Sequence, residues 1–302
     1  LGRGSGSPST SRRSPKNTPK NYVAILKIRF SRPLAGNLSP KLEPADFLQI
    51  VQSSERLGHH ETAHKLMRLC GQVTRYARIT GRVKYDVAAG LTEALTPVQT
   101  THFAAVTLPD DIGQLLRDID AYVGYTSVVY CLKILPYVFT RPSELRLAHW
   151  NEFDFKNATW IIPASRMKMR REHVVPLSKQ VLVLLNELHA YTGNGKLLFP
   201  SVRALTTPIS DAAPLAALRR MGYGKETMTL HGFRAMASTR LNELGFRADV
   251  IEAQLAHKEP DTVRLAYNRA EYMDERCLLM QAWADYLDGL RNTQQKRSKE
   301  EV

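Results

Sequence analysis

One short block of strand-like alternation, flanked on both sides by long helical patterns, constrains this chain more than any other feature. HWNEFDF (149–155) alternates in polarity, FKNAT can turn, TWIIPA (159–164) reads as a second strand and HVVPLS (173–178) as a third. Outside this block the apolar residues recur mostly at helical spacing. The expected fold class is therefore mainly α with a small three-stranded antiparallel β element. A length of 302 residues leaves room for two domains.

The pattern along the chain divides it further. Residues 1–20, LGRGSGSPSTSRRSPKNTPK, carry five Lys/Arg, no acid and almost nothing to bury, and read as a disordered basic tail. Residues 21–96 read as a helical domain. Within it PADFLQIVQSSERL offers a short helix and ETAHKLMRLCGQVTRYARITG a longer one, with Ala63, Leu66, Met67, Cys70, Val73 and Ala77 on its apolar face and Gly81 as a stop. Residues 97–111, polar and containing Pro97 and Pro109, read as a linker and the entry to a second domain over 112–290. DIGQLLRDIDAYVG and TSVVYCLKILPYVF open that domain as two helices, and helical pattern resumes from QVLVLLNELHAYTG to about residue 290. Residues 291–302 read as a frayed polar tail.

Charge narrows the partner. The formal net charge is +13, and an excess of that size points to a polyanion, with nucleic acid foremost. The longer N-terminal helix turns Lys65, Arg68, Arg75, Arg78 and Arg82 to one side with few acids to balance them. That side is either a solvated face or a phosphate-contacting one. No apolar run reaches the roughly 18–20 residues needed to cross a bilayer. Cys70, Cys131 and Cys277 are far apart and form no CxxC pair, as expected of free thiols in a reducing compartment. A cytoplasmic protein is expected.

Four segments carry candidate chemistry. In TRPSELRLAHW (140–150), Arg141 precedes Pro142 at a helix start, a place suited to phosphate, with Glu144 three residues on to brace the guanidinium. In SRMKMRREHVVPLS (165–178), Arg166, Lys168 and Arg170 alternate and would share one face of an extended hairpin. In TLHGFRAMASTRLNELG (229–245), His231 and Arg234 lie at i and i+3, neighbours on a helix that Thr229 could cap. One moves a proton and the other holds negative charge, a pairing suited to phosphoryl chemistry. In VIEAQLAHKEPDTVRLAYNRAEY, His257 is followed by two tyrosines, Tyr267 and Tyr272. Five helical residues rotate by roughly 140° beyond whole turns, so both tyrosines do not easily face one site. Helix geometry alone does not choose between them.

The ordered set Arg141, Lys168, His231-x-x-Arg234, His257 and Tyr267 resembles that of the tyrosine recombinase (phage integrase) family. HGFRAMASTRLNELG, LAHKEPDTVRLAYNRAEY and QAWADYLDGL resemble the P4-type integrases of prophages and genomic islands. The likeness runs from about residue 40 to 290. It implies a helical core-binding domain followed by a tyrosine-recombinase catalytic domain, the two clamping duplex DNA. It also implies roles. Tyr267 would attack the scissile phosphate to give a 3′-phosphotyrosine and a free 5′-hydroxyl. Arg141 and Arg234 would hold the non-bridging oxygens, Lys168 would protonate the leaving oxygen, His231 would transfer a proton and His257 would bond the phosphate. Tyr272 is then a packing residue. No cofactor and no metal are implied.

The implied partners are double-stranded attachment sites, a homotetramer on synapsed DNA formed from free monomers, and accessory bending or excision factors. The implied setting is the bacterial nucleoid. Family members of the P4 type carry a further N-terminal arm-binding domain that this sequence is expected to lack, NYVAILKIRFSRPLAGNLSP reading as an incomplete start of the core-binding domain. Two rival readings follow. One is a DNA-binding regulator or truncated, catalytically impaired integrase, for which RLNELGFRADVIEAQLAHK could pass as a helix-turn-helix. The other is a type IB topoisomerase, which shares the same catalytic logic.

Overall fold

The computed structural model describes residues 43–98, 104–167, 170–256 and 272–300, with side chains as far as residue 293. The chain separates into two compact units, residues 1–101 and 102–302.

In the first unit, helix α1 (Pro44–Glu55) packs against α2 (His60–Ile79). Pro44 sits at the first helical position, where its missing N–H costs nothing. Phe47 and Val51, one turn apart, meet Ala63, Leu66, Met67 and Cys70, and Ala88 and Leu95 close the cluster. Four of the six residues expected on the apolar face of α2 are buried, while Val73 and Ala77 are only half-buried. Thr74 takes the inner place, its hydroxyl bonding the Cys70 carbonyl and the Asp86 carboxylate. Gly81, at φ +70°, follows the helix end in the left-handed conformation open to glycine.

The second unit is built on helices α3 (Pro109–Ala121), α4 (Thr126–Val138) and α10 (Met273–Glu300), with α10 lying along α3 and touching α4. The approach is close: a Cβ on Gly113 would sit 2.6 Å from the Leu290 carbonyl oxygen. The expected polar tail instead continues α10 to Glu300. The sheet is antiparallel with order β1 (Phe153–Asp154), β2 (Thr159–Ile162), β3 (His173–Pro176), and Trp160 pairs with Phe153 on one side and Val175 on the other. Strand β1 is shorter than the alternation suggests, because residues 150–152 form a 3₁₀ turn. Helices α5 (Pro142–Arg146), α6 (Lys179–Thr192), α7 (Ala212–Arg220), α8 (Gly232–Glu243) and α9 (Ala248–Gln254) are the other helices among the described residues of the unit. The helical pattern expected from residue 180 onward is thus interrupted by irregular chain between α6 and α7. Residues 104–106 belong to this unit: Val106 is in its core and the Ala104 carbonyl accepts the Thr229 N–H. All three cysteines are free thiols, Cys70 and Cys131 buried and Cys277 exposed. Among the described residues no helix is long and apolar enough to cross a membrane.

Candidate active site

Two helix ends build the site. Helix α4 is stopped by Phe139, which adopts φ +34° and is fully buried against Trp283 of α10. Helix α9 is followed by Ala256 at φ +48°. Left-handed backbone at non-glycine residues costs about 1–2 kcal/mol each, and strain of this kind persists only where the surroundings over-determine it. Both residues direct a carbonyl to an arginine. Phe139 O accepts Arg234 Nη1 at 2.9 Å, and Ala256 O accepts Arg141 Nη2 at 3.3 Å. Arg234 Nη2 also donates to Leu255 O at 2.7 Å. Terminal helix carbonyls lack intrahelical partners, so they are natural acceptors for guanidinium groups.

Arg141 sits at the N-cap of α5. Glu144 binds it twice, through the backbone N–H at 2.9 Å and through Nη1 at 2.8 Å. The Arg141 amide is therefore occupied by Glu144, and its guanidinium is the cation at this helix start. Glu144 is 4% exposed and Arg141 retains 20% exposure. Arg234, on α8, is buried. Burial first and the Arg141 cation second lower its pKa to about 10, which leaves it charged at neutral pH. His231 forms the N-cap of α8, with Thr229 Oγ1 accepting the Gly232 N–H at 3.0 Å. Its ring keeps an exposed face. Partial desolvation, then Arg234 and Arg141, push its pKa below the ordinary histidine value, so the neutral imidazole prevails at pH 7. Two cations against one carboxylate leave a net positive charge, with a neutral base beside it, an arrangement chemically suited to an anion and to taking up a proton.

The structure thus brings Arg141, Glu144, His231 and Arg234 together. Lys168, His257 and Tyr267 lie outside the described residues. Tyr272 is half-buried against the main core with Arg247 over its ring at 5.4 Å, in keeping with a packing role. The basic alternation is corrected at Arg166. Residues 163–167 turn instead of extending. Arg166 points inward to pair with Glu152 and donates to the Glu144 carbonyl at 2.9 Å, while Trp160 Nε1 binds Glu152 at 3.0 Å. It braces Glu152 and the Glu144 carbonyl of α5, and it lines the groove beside the sheet only from this paired position. Arg170 is exposed at the turn with φ +52°. On α2, Arg68, Arg75 and Arg78 are exposed, as is Arg82 beyond its end, but Lys65 is paired with Glu61 at 2.7 Å. An open groove of about 490 Å³ beside the sheet, lined by His149, Glu152, Asp154 and Arg166 among others, includes none of the clustered site residues.

A buried polar triad lies behind the arginines and was not singled out by the sequence. His173 of β3 bonds the Gln254 carbonyl at 3.1 Å, and Arg276 of α10 donates Nε to Gln254 Oε1 at 2.9 Å and Nη2 to the Val174 carbonyl. One signal existed: Arg276 precedes Leu279, Met280, Trp283 and Leu287 on the apolar stripe of α10, a lone cation at a core position.

The Phage integrase family matches residues 106–273, and the Phage integrase central domain matches residues 30–94. The chain belongs to the phage integrase family. This integrase-family chain is 38% identical over 268 residues to the integrase of Enterobacteria phage P4, covering 83% of itself and 61% of that protein. It is also 38% identical to the integrase of Shigella phage Sf6, covering 85% of itself and 66% of the relative, and to the Escherichia coli K12 prophage integrase IntS with the same coverage. The chain therefore spans about three fifths to two thirds of the length of these relatives. The likeness favours a P4-type tyrosine recombinase. Its fold is shared with a lambda integrase dimer bound to a COC′ core site (TM-score 0.59, 16% identity, 87% of this chain and 74% of that one). It is shared also with the Tn1549 transposon integrase in complex with transposon right end DNA (TM-score 0.60, 15% identity, 89% and 94%).

Proposed function

We propose that this chain is a site-specific DNA recombinase that cuts and rejoins duplex DNA through a covalent 3′-phosphotyrosine, integrating or excising a mobile element. The observation that carries the reading is the convergence of Arg141 and Arg234 on helix-end carbonyls beside His231, in a chain of the phage integrase family. The Tyr267 phenolic oxygen attacks the phosphorus, the P–O5′ bond breaks, and the phosphotyrosine stores the bond energy, so no ATP is consumed. His231, neutral at pH 7, accepts the phenolic proton. Arg141 and Arg234 hold the non-bridging oxygens as charge builds there. Lys168 delivers a proton to the leaving 5′-oxygen, and His257 bonds the phosphate. Attack by a 5′-hydroxyl reverses each step and joins the strands.

Exposed Arg68, Arg75, Arg78, Arg82 and Arg170 would contact DNA phosphates. Work on duplex sites in pairs calls for a homotetramer on synapsed DNA, and lambda integrase has been seen as a tetramer bound to a Holliday junction. Accessory bending or excision factors and a nucleoid setting belong to the same reading. A regulator reading is disfavoured by α9. Its inner face is buried through Val250, Ile251 and Gln254, and Asp249 and Glu252 face solvent, a poor surface for a recognition helix.

The decisive test is relaxation of supercoiled plasmid in EDTA, with denaturant-trapped protein–DNA adducts measured alongside. Wild type should relax the plasmid and form the adduct. Tyr267→Phe should do neither and still bind DNA. Adduct persisting in Tyr267→Phe would overturn the assignment of the nucleophile.

A further inference from the structure

Three consecutive carbonyls at the end of α9 each accept a bond from a basic side chain. Gln254 O takes His173 Nε2 at 3.1 Å, Leu255 O takes Arg234 Nη2 at 2.7 Å, and Ala256 O takes Arg141 Nη2 at 3.3 Å. The two arginines repel one another, so their spacing depends on acceptors that stay in place. Leu255 and Ala256 lie beyond the last turn of a seven-residue helix, which has little rigidity of its own. Fixing comes from the residue just before them. The Gln254 backbone is bonded by His173 from β3, and its side chain by Arg276 from α10, which also binds Val174 O on β3. His173 is 8% exposed, Arg276 3% and Gln254 1%. These bonds tie three elements together at one buried point, with Gln254 Nε2 a buried nitrogen of the triad that has no partner among the described residues, and buried bonds of this kind hold the place where they meet.

We propose that His173, Gln254 and Arg276 form a positioning bracket that sets the separation and aim of the Arg141 and Arg234 guanidinium groups by immobilising the α9 terminus. None of the three needs to touch DNA. The inference rests on the functional reading above only for its catalytic consequence, since the bracket exists in the free protein. His173 suits the task because it stays neutral: burial and the nearby arginines hold its pKa at about 3, so Nε2–H remains a donor without adding a further cation to Arg141, Arg234 and Arg276.

The test has two arms on the full chain. The first records guanidinium NMR signals of Arg141 and Arg234 without DNA. Wild type should show hindered rotation about Cζ–Nη for both. In His173→Phe that hindrance should be lost, and in His173→Gln, whose amide can donate to the same carbonyl, it should return. Arg276→Met approaches the bracket from α10 and should act as His173→Phe does, with tryptophan fluorescence checking that each variant is folded. The second arm measures adduct formation on supercoiled plasmid. His173→Phe and Arg276→Met should be slower by about 10- to 100-fold, the scale of a small misplacement of a catalytic group, and His173→Gln should recover to within a few-fold. Unchanged arginine signals in folded His173→Phe and Arg276→Met would overturn the bracket. Wild type forming no adduct while the signals respond as expected would instead overturn the strand-cleavage reading and leave the bracket standing.

Discussion

Acidification should weaken the second unit, and a definite share of the loss should come from the His173 imidazole. His173 is held neutral by burial and by the Arg276, Arg234 and Arg141 cations, with a folded pKa of about 3, whereas in the unfolded chain it titrates near its ordinary value of about 6.5. The folded value is the lower, so the unfolded state takes up the proton first. Above about pH 6.5 both states are neutral and His173 adds no pH dependence; as pH falls from there toward 3, stability is lost. At about 1.36 kcal/mol per unit, the step from pH 7 to pH 5 removes about 2 kcal/mol. Urea unfolding followed by tryptophan fluorescence reads this directly, because Trp150, Trp160 and Trp283 are the chain's three tryptophans and all lie in the second unit. The control is His173→Gln, which keeps a donor and does not titrate. Carboxylates and His231 contribute to both proteins and cancel in the difference. Wild type should lose about 2 kcal/mol more than His173→Gln between the two pH values. A difference under about 0.5 kcal/mol, the usual error of such comparisons, would refute the claim that this histidine is held neutral by its surroundings.

Further outcomes concern other parts of the fold. Arg166→Met leaves the Glu152 carboxylate half-buried without its guanidinium partner and should lower unfolding free energy by about 3 kcal/mol; Arg166→Met with Glu152→Gln should recover part of that loss in the same urea experiment. Gly232→Ala would place a Cβ 2.5 Å from the Ala104 carbonyl oxygen and 2.8 Å from the Met228 sulfur. It should destabilise by about 1–3 kcal/mol, and because Gly232 adjoins His231, adduct formation should fall with it. Replacing Arg75, Arg78 and Arg82 together by glutamine should flatten the plot of log binding constant against log salt concentration by about 2–3 units, near 0.9 per lost phosphate contact. An unchanged slope would remove that face from the DNA interface.

Sequence periodicity was informative where local chemistry decides structure. The apolar spacing of α2, the proline at the start of α1 and the β-branched runs of β2 and β3 each name their element, because a period of 3.6 or 2 is set by the backbone itself. The order of Arg141, His231 and Arg234 was readable too, since i, i+3 spacing and a proline after an arginine are local facts. Arg166 was misread because alternation assumes an extended chain. A turn at 163–167 rotates its side chain inward, and the half-buried Glu152 carboxylate just before β1 supplies a reason to stay there. The 3₁₀ turn at 150–152 shortened β1 in the same way, with Trp150 N–H drawn to the Lys196 carbonyl.

The sequence by itself determined a mainly helical chain with one small antiparallel sheet, a basic character and the residue types of a phosphate site. Tertiary structure alone decided how two like-charged guanidinium groups stand side by side. Their acceptors are the carbonyls of Phe139, Leu255 and Ala256, groups that every residue carries and that no pattern of side chains announces. Whether such a carbonyl faces an arginine depends on left-handed backbone at Phe139 and Ala256, held by Trp283 against one and by the polar triad behind the other. Several of those contacts, Phe139 to Trp283 and His173 to Gln254 among them, join residues far apart in the sequence, and only packing brings them within reach of each other.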